Sequence, residues 1–599
     1  MPATTVSRPS DRAWWKSSTV YQVYPPSFAD DGAHGHGTLK GLLARVPYLK
    51  SLGVDIIWLS PIYPSPQADM GYDISNYRDI DPRYGTLADY DDIVKAAKER
   101  GMKVVMDLVV NHTSEQHEWF KESKKSTTNP KRDYYIWRKP KLTASGERRP
   151  PNNWKSVFGG GSAWEYDETT GEYYLHLFLK EQPDLNWEND KVRQEVWDIM
   201  RYWLEKGSDG FRMDVINFIS KVPGLPDAPI KAEGREFQHF GDLSTNGPKM
   251  HEWMKEMNRE VLSHYDCFAV GEAPGDGPIE DYAPYSVPEN KELQMIFHFH
   301  HFSFDMKFGG LGRDSNPNWK LSDMKKIFNH WQVGMEKAGG WNSNYLENHD
   351  QPRMITRVAS DHPEDRVKSG KLVSMFHCSL TGTLFIYQGE EIGMSNVPRD
   401  WSEKEYKDIE SIQNLQGERA HRRKVQGKED VDVSDVLESM RLTARDNGRT
   451  PMQWDDTENA GFTKGVPWMR VHDDYREGWN AAAQVKDEDS VWSFWQKMLG
   501  LRKRYESLVY GEFIPLDEGN EETYAYIRDD PTISQKLLVV LNFARGNGRG
   551  NASTFIVPET VDISRTQLLI SNGQEKEGSK IPSSREIALT PWEGRIYLL

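Results

Sequence analysis

The chain has 599 residues but only two cysteines, Cys267 and Cys378. That excludes a disulfide-stapled scaffold and leans towards a reducing compartment. It has no run of about 18 apolar residues, so no membrane span is expected. Met1 to Asp11 is polar and lacks the apolar core of a secretory leader, so the expected location is cytoplasmic. Positive charge is not in excess: 75 Lys and Arg face 91 Asp and Glu, a net charge of −16. A nucleic acid or an anionic membrane would want a basic face, so neither is an expected partner. Low-complexity tracts and short repeats are also missing. What the chain does have is aromatic residues, among them 21 Trp and 26 Tyr. Most suit a core, but aromatic faces also stack on the apolar faces of ligands, sugars included.

Strand and helix patterns alternate along the chain. Val20–Tyr24 is β-branched and aromatic and stops at Pro25-Pro26, which predicts a strand. Leu39 to Leu52 has apolar residues at helical spacing and ends before Gly53. Residues 54–59 and 104–110 are near-continuous apolar runs, as expected for strands buried on both faces, with a helix over 90–100 between them. Further strands are expected at 210–215, 267–272, 296–304, 341–350 and 384–387. Helices are expected near 190–206, 248–264, 322–338, 366–379 and 489–505. Eight such strands fit a closed (β/α)8 TIM barrel. The barrel is expected over 14–112 and 182–510, after a loose tail at 1–13. Residues 113–181, rich in Lys, Asn, Pro, Trp and Gly, read as a subdomain inserted after strand three, since so long a run is unlike a structureless loop. A second insertion, 395–460, reads as irregular and is highly charged between 402 and 430. Short strands with Asn/Gly turns predict a C-terminal antiparallel β domain over 511–599.

The stretch Asp209-Gly-Phe-Arg-Met-Asp-Val215 organises the reading. On a strand, Arg212 and Asp214 point to one side and Phe211, Met213 and Val215 to the other. A neighbouring cation favours an ionised Asp214, a candidate nucleophile; a structural ion pair is the plainer alternative. Asp73 lies on the loop after strand two. Asp107, Asn111 and His112 close strand three, Glu272 closes strand five, and His349 and Asp350 close strand seven. A barrel puts its working residues at this end of its strands. Asp214, Glu272 and Asp350 would therefore share one mouth, with some pKa values pushed upward by repulsion. Paired carboxyls flanking a glycosidic bond are the apparatus of glycoside hydrolysis. Asp107, inside its strand, reads as structural, and His112 and His349 taken singly read as rim residues.

Four segments resemble the short conserved regions of the α-amylase superfamily, and in its order: Asp107-Leu-Val-Val-Asn111-His112, Gly210-Phe-Arg-Met-Asp214, Val270-Gly-Glu272 and Glu347-Asn-His349-Asp350. Gln182-Pro-Asp-Leu-Asn186 and Arg445-Asp-Asn-Gly-Arg449-Thr-Pro-Met-Gln-Trp454 are similar to the oligo-1,6-glucosidase and maltase branch. The resemblance covers roughly residues 15–510 and implies a retaining, exo-acting α-glucosidase with transglycosylation. It implies Asp214 as nucleophile, Glu272 as acid/base and Asp350 as stabiliser of the transition state. It also implies Asp73, His112, Arg212 and His349 around the terminal glucose, Tyr72 stacking on that ring, and Arg445 pairing with a carboxylate or a sugar hydroxyl, with Arg449 its weaker substitute. Val215 after the nucleophile is as in α-1,6-acting relatives, which favours isomaltose-type substrates over maltose; as a bare residue it is strand-favouring. The expected partner is a short oligosaccharide.

Relatives often bind calcium in the loop after strand one. Here that loop reads Asp30-Asp-Gly-Ala-His34-Gly-His36-Gly-Thr38 and lacks most of the six to eight oxygen ligands calcium takes. No metal and no cofactor is expected; His34 and His36 read as surface residues, and His298, His300 and His301 as a strand end rather than a metal site. The rival readings on the same scaffold are a sucrose isomerase and a trehalose synthase. A non-catalytic transporter partner or a bare lectin fits poorly with three retained carboxylates and no membrane span.

Overall fold

The computed structural model describes residues 12–599 except 160, 276, 310–311 and 547–548, with side chains given outside 307–314. Residues 1–11 of the expected tail, and Gly160 of the glycine triplet, lie outside the described residues.

Eight parallel strands form the central sheet: β1 (Thr19–Val23), β2 (Ile56–Leu59), β3 (Lys103–Val109), β4 (Gly210–Asp214), β5 (Phe268–Glu272), β6 (Met295–Phe297), β7 (Ser343–Asn344) and β8 (Thr383–Tyr387). Their order is β6-β5-β4-β3-β2-β1-β8-β7. At the remaining joint, between β6 and β7, side chains replace the ladder: Ser343 Oγ donates to the Ile296 carbonyl at 2.5 Å and the Tyr345 hydroxyl to that of His298 at 2.8 Å. This open joint explains two departures from the sequence reading. The strands expected over 296–304 and 341–350 shrink to three and two residues, because each lacks a ladder partner on one side. The run His300–Phe302 becomes a 3-10 turn instead.

Each β/α unit is punctuated locally. Thr38 accepts the Gly41 N–H to cap helix α1 (Leu39–Leu52), and Gly53 ends it at φ +113°. Gly210 opens β4 at φ +150°, where a Cβ would stand 2.0 Å from the Phe268 carbonyl oxygen of β5; only glycine permits that approach. Strand alternation splits the core in two. Tyr21, Ile57, Phe211 and Met213 pack outward under the helices. Val20, Ile56, Trp58, Val105, Phe268, Val270, Phe297 and Phe385 fill the barrel interior. The barrel is therefore plugged beneath its mouth.

The segment inserted after β3 carries a helix (Glu118–Lys125) and a three-stranded antiparallel sheet. The segment 395–460, expected to be irregular, holds two helices of ten residues or more, Ile409–Gln426 and Ser434–Thr443, and a helical turn at Asp446–Arg449. Its charge is what hid them, since a mostly solvated helix has only a thin apolar stripe: Ser411 and Leu415 alone are buried in the first. After helix Val491–Arg504, a five-stranded antiparallel sheet forms with Gly594–Leu598 near its edge. It docks on the barrel through Lys325, whose buried ammonium donates to the carbonyls of Asp517, Asn520 and Thr523 at 2.7–2.8 Å. Among the described residues no helix is long and apolar enough to cross a membrane.

Candidate active site

Strand register assembles the site. Asp107 of β3 pairs with Arg212 of β4, and Met213 pairs with Gly271 of β5. Asp214 and Glu272 therefore stand at one level on neighbouring strands, whose backbones are about 4.8 Å apart. Arg212 is buried between three acids. Its Nη1 donates to Asp107 at 3.0 Å and to Asp214 Oδ1 at 2.7 Å, and its Nη2 lies 2.6 Å from Glu272 Oε2. One cation cannot neutralise three buried carboxyls. Burial pushes Glu272 up to about 8; Arg212 opposes this, and the charges of Asp214 and Asp350 add to it. Burial likewise pushes Asp214 up to about 6 against the pull of Arg212. Arg212 favours the Asp214 charge, as its place two residues away implies, but desolvation is the larger effect here. At neutral pH the outcome is an ionised Asp214 beside a protonated Glu272.

The strand ends at Asp214, so Val215 does not continue the alternation with Phe211 and Met213. It sits at φ +33°, ψ +43°, a left-handed conformation that costs a β-branched residue about 1–3 kcal/mol. The strain aims its N–H at Glu272 Oε2, 3.1 Å away. Its side chain then faces the cavity.

Asp350 is clamped rather than free. Arg445 Nε and Nη2 reach its Oδ1 at 2.6 and 2.5 Å, and Arg449 Nη2 reaches the same oxygen at 2.8 Å. Arg449, expected as the weaker substitute for Arg445, thus binds the same oxygen alongside it, through one donor against two. His349 Nε2 lies 3.4 Å from Asp350 Oδ2. The ring stacks between Tyr24 and Tyr72, and Gln22 donates to its Nδ1 at 2.8 Å, which leaves the proton on Nε2. Burial holds His349 and His112 below the usual histidine range, so both are neutral.

Asp73 does not join this group. Its carboxylate is consumed by its own loop, accepting from Ser65 Oγ and from the N–H groups of Ala68 and Asp69 at 2.8–3.1 Å. Positive φ at Gln67, Met70 and Gly71 folds the loop back on itself. Asp69 lines the cavity instead, accepting from Gln182 at 2.9 Å. No local pattern separates the two aspartates, four residues apart on one loop. Asp107 is fully buried and anchors Arg212, as its place inside the strand implied.

These groups line one cavity of about 1380 Å³ that takes in Asp69, Tyr72, His112, Asp214, Val215, Glu272, Asp350 and Arg445. Phe158, Phe178, Phe218, Tyr282 and Phe299 also line it. Asp107, Arg212 and His349, packed among these groups, are each exposed by 1 % or less.

Metal-ligating groups converge elsewhere only at Asp30, Asp31 and His34, among the described residues. The Asp30 carboxylate already accepts from the N–H groups of Gly32, His34 and Gly35, from the His34 ring and from Thr463 Oγ1, at 2.6–3.0 Å. Three ligands with one so engaged fall short of a calcium shell. Chelation with EDTA is expected to change neither the melting temperature nor turnover; a loss restored by a single added metal would contradict this. At the histidine cluster, His298 stacks on Trp331 with centroids 3.7 Å apart, and Trp331 donates to His300 Nδ1 at 3.2 Å.

The catalytic domain of the α-amylase family matches residues 22–511. The chain is 48 % identical over 588 residues to an oligo-1,6-glucosidase of Parageobacillus thermoglucosidasius, covering 98 % of this chain and 99 % of that one. It is 46 % identical to an α-glucosidase of Schizosaccharomyces pombe, over 93 % and 94 % of the two chains. Among solved structures, the isomaltulose synthase SmuA of Protaminobacter rubrum superposes with a TM-score of 0.88 at 38 % identity, covering 98 % and 99 % of the two chains. The buried carboxyl constellation at the barrel mouth and this full-length likeness lead to one conclusion: the chain belongs to the α-amylase family, on its oligo-1,6-glucosidase and α-glucosidase branch, and is a glycoside hydrolase.

Proposed function

We propose that the protein is a retaining, exo-acting α-glucosidase that releases terminal α-linked glucose from short oligosaccharides and passes part of it to acceptor sugars. The observation that carries this is the carboxyl pair. Asp214 and Glu272 sit level on adjacent strands and share one guanidinium. Carboxyls set this close leave no room between them for the water that inversion places there, which favours double displacement. Two N–H donors face Glu272 Oε2, so its proton belongs on Oε1, the oxygen left to meet the glycosidic oxygen. Asp214 Oδ1 is held by Arg212, which leaves Oδ2 to attack the anomeric carbon as the bond to the leaving sugar breaks. Glu272, now ionised, takes a proton from water, and that water displaces Asp214. Asp350, His349, His112, Arg212, Arg445 and Asp69 surround the terminal ring in this reading, with Tyr72 beneath it. The plugged barrel interior closes the cavity from beneath, which supports action at a chain end. Two unpaired thiols, Cys267 and Cys378, suit the cytoplasm.

The pH dependence follows from the two carboxyls. Turnover needs Asp214 ionised and Glu272 protonated, so kcat/KM rises through about 6 and falls through about 8. A profile flat from pH 5 to 9 would contradict the assignment.

Val215 at the cavity wall favours isomaltose-type α-1,6 linkages, with maltose accepted. Likeness to an isomaltulose synthase supports a second reading, isomerisation of sucrose. One panel decides: isomaltose, maltose, trehalose and sucrose, with product chromatography and NMR of the first-formed anomer. Expected are α-glucose and a kcat/KM higher for isomaltose than for maltose. First-formed β-glucose would overturn retention, a strong maltose preference would overturn the linkage, and isomaltulose as main product would favour the second reading.

A further inference from the structure

The charged stretch 402–430 contains one acid that reaches the site without lining its cavity. Asp408 is fully buried and caps helix Ile409–Gln426 through Oδ1, which accepts the Glu410 N–H at 3.0 Å. Its Oδ2 accepts from Arg449 Nη1 at 2.6 Å and lies 3.6 Å from Arg445 Nη1. The Asp408 N–H in turn donates to buried Asp446 at 3.0 Å, as does that of Lys407 at 2.6 Å.

Every face of the Arg449 fork is thereby assigned: Nε to the His349 carbonyl at 2.7 Å, Nη1 to Asp408 and Nη2 to Asp350 Oδ1. Arg445 presents Nε and Nη2 to that same oxygen and turns Nη1 towards Asp408 and Asp69. A guanidinium is planar and forks at fixed angles, so fixing one edge fixes the other. Without that second carboxylate Arg449 Nη1 would lose its acceptor and Arg445 Nη1 its nearer counter-charge, and the edges that meet Asp350 would lose part of what fixes their angle.

We propose that Asp408 is a positioning residue that holds Arg445 and Arg449 at the angle from which both clamp Asp350 Oδ1, and so sets the pose of the Asp350 carboxylate towards the hydroxyls of the bound glucose. The inference rests on the reading of Asp350 as the carboxylate that holds those hydroxyls in the transition state. It links the N-terminus of a surface helix to the sugar pocket through two arginines.

The test is a double-mutant cycle with Asp408→Asn and Asp350→Asn, read as kcat and KM on isomaltose and on p-nitrophenyl α-glucoside. Asparagine caps a helix as well as aspartate does, so Asp408→Asn keeps the cap on its amide oxygen while it removes the charge and turns an NH2 group, no longer an acceptor, towards the arginines. Asp408→Ser, which also caps but is too short to reach Arg449, is the second variant. Expected is a fall of about 100-fold in kcat/KM for either variant, carried mainly by kcat, with the circular dichroism spectrum and melting temperature close to wild type. In the Asp350→Asn background Asp408→Asn should cost less than twofold more, because its route is already cut. Wild-type kinetics for Asp408→Asn, or losses that multiply in the double variant, would overturn the positioning role. An Asp350→Asn enzyme as active as wild type would overturn the reading of Asp350, and this inference with it.

Discussion

Asp214→Ala is expected to lower kcat/KM for isomaltose and maltose at least about 10⁴-fold, or about 5.4 kcal/mol of transition-state stabilisation. No neighbour can take its place. Asp107 is bound face-on by Arg212 and fully buried, and Asp350 Oδ1 is clamped by two arginines. The variant should still fold, because Arg212 keeps Asp107 as its counter-charge and Glu272 as a hydrogen-bond partner. The loss is thus separable from unfolding: a melting temperature near wild type with no released glucose. Retained turnover above about 1 % in a preparation free of wild-type enzyme would remove Asp214 from the nucleophile role. A second consequence follows from charge. Asp214 helps to hold Glu272 up, so the Glu272 titration should move to lower pH in the variant.

Glu272→Gln is expected to cost about 10²–10⁴-fold in kcat/KM on disaccharides, the usual worth of a positioned general acid. Glutamine is nearly isosteric, and its amide oxygen can still accept from Val215 and Arg212 where Oε2 now does. What is lost is the proton. A leaving group that departs without protonation, such as dinitrophenolate, should therefore form the glucosyl-enzyme at close to the wild-type rate, while its hydrolysis, which needs the base, slows and the intermediate accumulates. The alkaline limb near 8 should vanish with the carboxyl. An equal loss on activated and natural substrates would mean that Glu272 acts on binding and not on proton transfer.

Both predictions draw on residues that were legible as letters in the chain, but their behaviour was not. Apolar runs bounded by Gly and Pro fixed the number and order of the β/α units, and parallel strands of that kind place their carboxyl ends on one rim. Asp214, Glu272 and Asp350 were therefore predictable neighbours. Phe299, Phe302 and Trp341 have strand-like character, yet β6 and β7 are short because each has a ladder on one side only, and which strands will be left with one neighbour is not written in local pattern.

Local pattern determined the barrel, the inserted segment and the acids at its mouth, because periodicity and strand ends act over a few residues. Tertiary packing alone decided the rest. Backbone torsions at Gln67, Met70 and Gly71 turned Asp73 inward and Asp69 outward. A strained Val215 aimed its amide at Glu272. Arg445 and Arg449, roughly a hundred residues past Asp350, closed on it with Asp408 behind them. Charge states, too, came from burial, and desolvation depends on every atom that excludes water, wherever it lies in the chain.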